Sequence, residues 1–440
     1  MKLDLHPTVR LVRQKRDALS PAIDAAALRS LCLDAGADDV GFVGLERPEV
    51  AEQRDEILGV LPSARTLVSF VVRMNRDDIR APARSIANVE FHHAGDESNE
   101  VGRRIARALL DRGHRAVHPP MGFPMEMDRF PDKAWVVSHK PVAVAAGLGS
   151  MGIHRNIIHP KFGNFILLGT VITDLVVEQG SALDFNPCIE CKLCVAACPV
   201  GAISPEGAFD FSACYTHNYR EFMGGFTDWV EQIADSDDAK GYRERVSDSE
   251  SASMWQSLSF GANYKAAYCI AVCPAGEDVI GPFLTSKKAF VADVMKPLLE
   301  KVEPVYVVEG TDAEAHVQKR FPHKRVRRVR NGLRVRSIEA LARGMPRTFQ
   351  PGRAKDLAAR YHFSFHGAEE VDLTVDIRDR RITIESGLSG AADLHVMADS
   401  ATWLGFLAKE RSLLWAFVMR RVRVRGPLAL LRRFGACFPS

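Results

Sequence analysis

Four cysteines in the spacing CxxCxxCxxxCP constrain this chain more than any other segment: Cys188, Cys191, Cys194 and Cys198, followed by Pro199. Three thiolates stepped by two residues can each take one corner of an iron–sulfur cube, while the fourth, turned away by the proline, reaches a second cube. Soft thiolates in short spacings also suit zinc. Zinc sites, however, usually present two CxxC pairs a dozen or more residues apart, without a CP ending. The segment is therefore read as a 4Fe-4S binding run in a protein that moves single electrons.

A partial repeat follows at Cys269 and Cys273-Pro274, with the same x3-CP ending. Two CP endings suggest the crossed pattern of a two-cluster ferredoxin. Cys188, Cys191, Cys194 and Cys273 then hold one cluster, and Cys198 and Cys269 serve the other. Cys214 is the natural third ligand of that second site, because no other thiol lies in the intervening stretch. Position 266, where the motif would put a fourth, is alanine. The second site is a 3Fe-4S cluster, a 4Fe-4S cluster with a water or side-chain ligand, or a vestige, and His217 is the nearest alternative donor. Cys32 and Cys437 sit in apolar surroundings and read as buried, inert thiols.

With 440 residues, 46% of them hydrophobic, the chain can form about two to four packed domains. Its apolar runs, such as 165–172, are far shorter than the roughly 18 residues of a membrane helix, so no transmembrane segment is expected. The charged start carries no secretory signal pattern. Oxygen-sensitive clusters and free thiols suit a reducing cytoplasm, with an electron-donor protein such as a ferredoxin or flavodoxin as partner. A net charge of +3 makes no case for nucleic acid, and none is expected as a partner.

Residues 22–35 predict an amphipathic helix with Leu28, Leu31 and Cys32 on one side, followed by strands at 39–44, 66–72 and 165–172 and a helix over 99–112. Gly147, Gly149 and Gly152 match GxGxxG, yet Pro160 and Gly163 interrupt the long helix that a dinucleotide site requires. A tight glycine loop that lets backbone approach another flat cofactor is the better reading. Residues 230–260, rich in Ser and Asp, read as a surface excursion. Arginines alternating with valines over 323–336 read first as a strand with one solvated face, and second as a docking patch for an anionic partner. Further on, Leu373, Val375 and Ile377 alternate with polar residues, turn at Asp379-Arg380, and return through Ile382 and Ile384 as a hairpin. A helix from Thr402 with an Asp399-Ser400 cap, a strand at Val422 and a final helix opened by Pro427 complete the pattern.

The ordered run of His139 to Gly152, His159 to Gly163, Leu168 to Asp174 and the cysteine motif resembles the epoxyqueuosine reductases and their relatives the reductive dehalogenases, over roughly residues 20–285. That resemblance implies a nitroreductase-like α/β domain joined to a two-cluster ferredoxin domain, with a cobalamin between them. It implies that Gly147, Gly149 and Gly152 lie in the cofactor-contacting loop, with His154, Arg155 and Asn156 close by. It also implies an aspartate proton donor ahead of this loop. The corresponding stretch, 132–139, lacks the motif, so Asp128, Asp132 and His139 are the candidate acids by location. From about residue 338 the chain resembles the sterol carrier protein-like domains, which implies an apolar tunnel for a lipid-like ligand, or a domain that only packs.

The expected fold class is thus α+β multidomain: a nitroreductase-like domain over 1–180, a ferredoxin-type domain over 181–285, a connecting segment over 286–337, and a sterol carrier-like α+β domain over 338–440. The expected function is an iron–sulfur oxidoreductase that passes electrons to a corrinoid for chemistry on an apolar substrate. The alternative is an electron-transfer or lipid-binding protein that has lost the corrinoid.

Overall fold

A computed structural model of the chain describes residues 3, 6–16, 23–122 and 135–439. It divides into two compact units. One comprises Met1–Glu126, Trp135–Cys191 and Cys273–Phe290, and the other Met127–Ala134, Lys192–Val272 and Val291–Ser440.

In the first unit the strands are β1 (Asp39–Gly44), β2 (Thr66–Arg73), β3 (Ala116–Val117), β4 (Ser150–Met151), β5 (Ile157–Ile158) and β6 (Ile166–Thr173). Four of them form an antiparallel sheet in the order β1-β2-β6-β3, and β4 pairs with β5. Alternate side chains of β2 go to opposite faces: Val68, Phe70 and Val72 into one apolar cluster, Leu67 and Val71 into another. The first cluster is covered by the helices Ala25–Asp34 and Arg84–Asp111, which contribute Leu28, Cys32, Val101, Ile105 and Leu109. The second is covered by the helix His139–Ala145 through Val142 and Ala143. Coverage on both faces explains why β2 reads as an unbroken apolar run. The long helix begins well before the expected residue 99, because Ala87, Phe91, Ala94 and Ser98 continue the same buried stripe.

The second unit contains a parallel pair, β7 (Pro304–Val307) and β8 (Arg325–Arg328), linked by the helix Asp312–Arg320. Its larger sheet has β9 (Ala359–His366), β10 (Val371–Arg378), β11 (Arg381–Ser386), β12 (Leu394–Asp399) and β13 (Val422–Arg425) in the order β11-β10-β9-β12-β13. Only β9 and β12 run parallel. The expected hairpin forms in the expected register, Val375 opposite Ile384 and Ile377 opposite Ile382. Asp379 and Arg380 both take positive φ, 50° and 61°, as a two-residue type I′ turn demands.

Two sequence expectations are sharpened here. Residues 230–260 are largely exposed, as expected, and they are helical, lying in Gly224–Ala234, Ala239–Arg245 and Asp248–Phe260. They close around a fully buried Arg220, whose guanidinium meets Asp228 at 2.6 Å and Glu250 at 3.2 Å. Glu250 is the buried carboxylate of this stretch, and with Asp228 just ahead of it serves as a partner for that buried charge. Of the basic run, Arg325–Arg328 forms the strand β8, in line with the first reading, and four of its arginines have carboxylate partners. Arg327 meets Glu250, Arg328 meets Glu314, Arg330 meets Glu231 and Asp235, and Arg334 meets Glu231 and Glu410. Among the described residues no helix is long and apolar enough to cross a membrane.

Candidate functional site

None of the nine cysteines is in a disulfide. In the second unit, a short helix Leu193–Ala197 carries Cys194 and ends at Cys198, and a short helix Tyr268–Ala271 carries Cys269. Each is preceded by a non-glycine residue in the left-handed region, Lys192 at φ 62° and Ala267 at φ 53°. The two helices pack on one another. A strained residue at the same place ahead of both CP endings marks an internal repeat in backbone geometry, beyond the cysteine spacing.

Cys198 is buried, which pushes its thiol pKa up, while the backbone N–H groups of Val200, Gly201, Ala202 and Ile203 act in the opposite sense. Ala202 N donates to its Sγ at 3.3 Å. Such a cradle of N–H groups suits a sulfur held as thiolate by iron, so the donor set fits an iron–sulfur cluster.

Cys214 lies on the helix Phe211–Asn218. The pKa of the Tyr219 phenol is driven up first by burial and then by the charges of Cys214, Tyr264 and Cys269, which places both thiols within its electrostatic reach. Four residues after Cys214, Asn218 holds the loop that leads to Cys269. Its Oδ1 accepts from Ala266 N at 3.1 Å and Ala267 N at 2.8 Å, and its carbonyl accepts from Lys265 N at 3.1 Å. Ala266 is therefore buried in an ordered loop, with a methyl where a fourth thiol would stand. His217 does not supply that ligand through Nδ1, which accepts from Tyr306 N at 3.3 Å. An accepting Nδ1 puts the proton of the neutral ring on Nε2, and burial keeps the ring neutral by pushing its pKa down to about 3. Asn218 and Tyr219 were missed from the sequence. Their only signal was helical spacing from Cys214.

In the first unit, Cys273 is buried beside Ile158 and Ala275, and Cys188 packs against the same cluster. Cys188 N donates to Asn186 Oδ1 at 2.9 Å, and Asn186 Nδ2 to Met151 O at 3.1 Å. Arg80 interacts with Cys273, and burial pushes the Arg80 pKa down to about 10. The loop after Pro274 is held by the His159–Gly163 segment: Glu277 N donates to Pro160 O and Asp278 N to Lys161 O. Among the described residues no three His, Cys, Asp or Glu side chains converge on a single metal ion.

The loop of Gly147, Gly149 and Gly152 closes on the protein itself. A methyl on Gly147, at φ 79°, would stand 2.4 Å from Ser181 O, and one on Gly149 2.5 Å from Ile158 O. At Gly152 the neighbours are Ile158 and His154. His154 is buried with Nδ1 accepting from Asn156 N and Nε2 facing Asn164 Nδ2, both at 3.1 Å. Lys140 Nζ donates to Arg155 O and Asn156 Oδ1. Glycine is thus required here by close backbone packing.

Of the candidate acids, Asp128 and Asp132 lie outside the described residues. His139 is buried, with Nδ1 2.8 Å from Thr170 Oγ1, and burial pushes its pKa down to about 4. It is neutral near pH 7 and carries no proton to give as an imidazolium.

The second unit also encloses a cavity of about 400 Å³. Phe363, Phe365, Trp403 and Phe434 form its aromatic wall, with Trp403 5.9 Å from Phe363 and 6.0 Å from Phe365 between ring centres. Leu341 and Met345 of the helix Ile338–Thr348 face them, and Arg334, Arg347 and Lys409 bring positive charge to the lining. A volume of this order, mostly apolar with a few polar groups, is that of a small-molecule site.

Residues 182–204 match the 4Fe-4S binding domain and residues 339–439 the SCP-2 sterol transfer family. Among curated proteins, the chain is 27% identical over 207 residues to the epoxyqueuosine reductase of Gloeobacter violaceus, covering 46% of this chain and 60% of that protein. To the epoxyqueuosine reductase of Synechococcus sp. it is 33% identical over 133 residues, covering 28% and 35%. The chain spans less than two thirds of the length of these relatives. Among solved structures, epoxyqueuosine reductase from Streptococcus thermophilus matches with a TM-score of 0.33 and 16% identity, over 61% of this chain and 74% of that one. The catabolic reductive dehalogenase NpRdhA matches with a TM-score of 0.33 and 20% identity, over 42% and 26%. The chain resembles epoxyqueuosine reductase-type iron–sulfur proteins and carries a sterol carrier-like C-terminal domain. A further similar structure is of an epoxyqueuosine reductase with a tRNA stem loop, and this chain's net charge of +3 is evidence neither for nor against a nucleic-acid partner.

Proposed function

We propose that this chain is an iron–sulfur oxidoreductase that passes single electrons and holds a lipid-like ligand in its C-terminal cavity. The observation that carries this reading is the shared geometry of the two half-motifs. Lys192 and Ala267 take the same left-handed conformation two residues ahead of Cys194 and Cys269, and the helices that follow pack together. Cys198, Cys214 and Cys269, all in the second unit, would hold the second cluster. A bound cluster supplies one-electron transfer, its potential set by hydrogen bonds to sulfur and by burial. Cys198 receives such hydrogen bonds and is itself buried.

The aromatic cavity supports an apolar ligand, with the basic side chains of its lining available to a polar or anionic head group. Arg347 is the most available of these, having no carboxylate partner among the described residues. The corrinoid is given no step, because the glycine loop packs on the protein's own backbone. This favours the reading in which fold and clusters are kept without the corrinoid.

Anaerobic purification with iron, zinc and acid-labile sulfide analysis tests the first half. Stoichiometric iron and sulfide support it, and zinc without sulfide overturns it. Extraction and identification of co-purified lipid tests the second half. Titration with cobalamin decides the cofactor: affinity in the micromolar range or tighter would restore the corrinoid reading.

A further inference from the structure

The helix Phe211–Asn218 belongs to both halves of the second unit's chemistry. Cys214 lies on it, and one turn earlier Phe211 lines the apolar cavity, with 39% of its surface exposed. Residues three apart are neighbours on a helix surface. A ladder of rings continues along the same helix. Phe211 and Tyr215 are 5.4 Å apart between ring centres, Tyr215 and Tyr219 6.0 Å, and the Tyr219 phenol is within electrostatic reach of the Cys214 and Cys269 thiols.

The first turn of this helix is also tied to the cavity wall. Asp210 caps it by accepting from Ala213 N at 2.9 Å, and the same carboxylate is hydrogen-bonded to the buried Gln350 side chain. Gln350 Nε2 donates to Thr348 O at 3.2 Å, at the end of the helix Ile338–Thr348. Ala340, Leu341, Gly344, Met345 and Thr348 of that helix wall the cavity, and the helix packs directly on Phe211–Asn218. A ligand that fills the cavity therefore touches Phe211 and presses on the wall that holds the cap.

We propose that ligand binding in the C-terminal cavity and the redox state of the Cys214 iron–sulfur site control one another through the helix Phe211–Asn218. The inference rests on the reading above, that Cys198, Cys214 and Cys269 hold a cluster and that the cavity takes a lipid-like ligand. Its sign follows from electrostatics. Replacing water by hydrocarbon beside the site disfavours the more negative, reduced form, so the ligand lowers the potential. By linkage, the reduced protein binds the ligand more weakly by the same factor.

The test uses the full chain, purified anaerobically with its iron, and palmitate as probe. Palmitate affinity is measured by calorimetry for the oxidised and the dithionite-reduced protein, and the midpoint potential by spin-resonance titration with and without palmitate. The expected result is about tenfold weaker binding to the reduced protein and a potential lower by about 59 mV for one electron. Asp210→Asn keeps an acceptor for Ala213 N but alters the link to Gln350, and Gln350→Ala removes that link. In both, iron content and palmitate binding by the oxidised protein should persist while the redox difference shrinks. Equal affinity in both redox states with an unchanged potential would overturn the proposal and leave the underlying reading standing. Absence of iron, or of palmitate binding, would overturn that reading itself and would show separately in the metal analysis or the calorimetry.

Discussion

Ala266 N and Ala267 N both donate to Asn218 Oδ1, so the loop that lacks the fourth cysteine is pinned to the helix that carries Cys214. The vacancy is one of chemistry and not of backbone order, which makes it open to repair. Ala266→Cys should supply the missing thiolate without disturbing the loop, raising iron by about one atom per chain and converting a 3Fe-type spin-resonance signal to a 4Fe-type one. Unchanged iron and spectrum in a folded variant would show that position 266 does not face the cluster.

Arg220, Asp228 and Glu250 form a buried charge group whose members are at most 6% exposed. Removing one partner leaves an uncompensated buried charge, so Asp228→Ala should destabilise the second unit by about 3–5 kcal/mol, read from its urea midpoint. A loss below about 1 kcal/mol would mean that water reaches Arg220 in the folded protein.

Stability should fall on mild acidification. In the unfolded chain His139 and His154 titrate near 6.5, whereas burial lowers both to about 4 in the fold. Between these values the unfolded state binds more protons. Their contribution is therefore complete above pH 6.5, is lost as pH falls toward 4 and changes little below, at a rate on the order of 1 kcal/mol per pH unit for each group. Urea midpoints at pH 7, 6 and 5 measure this, and His139→Asn should make the dependence shallower. A flat profile for the natural sequence would contradict the burial of both rings.

Gly149→Ala should destabilise the protein with no cofactor present, by about 1–3 kcal/mol, since the added methyl would stand 2.5 Å from Ile158 O. Thermal unfolding of cofactor-free protein provides the check. A stable variant that has lost only cobalamin binding would instead put the loop at a corrinoid face.

Affinity for fatty acids should climb with chain length, by up to about 0.8 kcal/mol for each methylene buried, until the cavity is full. Trp403 lines the cavity beside Phe363 and Phe365, so its fluorescence should report entry. Affinity that does not vary with chain length, with no change in Trp403 emission, would show that the domain only packs.

Much of the architecture was legible in the sequence, because local patterns decide it. Period-two alternation placed the β10–β11 hairpin in its register, and Asp399 takes up its cap, accepting from Thr402 N at 2.9 Å. The cysteine spacing named the proposed ligands, and Ala266 marks the gap in that set. Tertiary structure alone decided what the polar and glycine-rich segments do, since their meaning depends on partners distant in the chain. Asp228 and Glu250 are interior because Arg220 needs them, and Gly149 is a glycine because Ile158 O stands against it. His139 is neutral because β6 and its neighbours exclude water from the ring. The placing of Phe211 on the cavity arises in the same way, from a helix whose first turn reaches the apolar cavity and whose next turn carries Cys214.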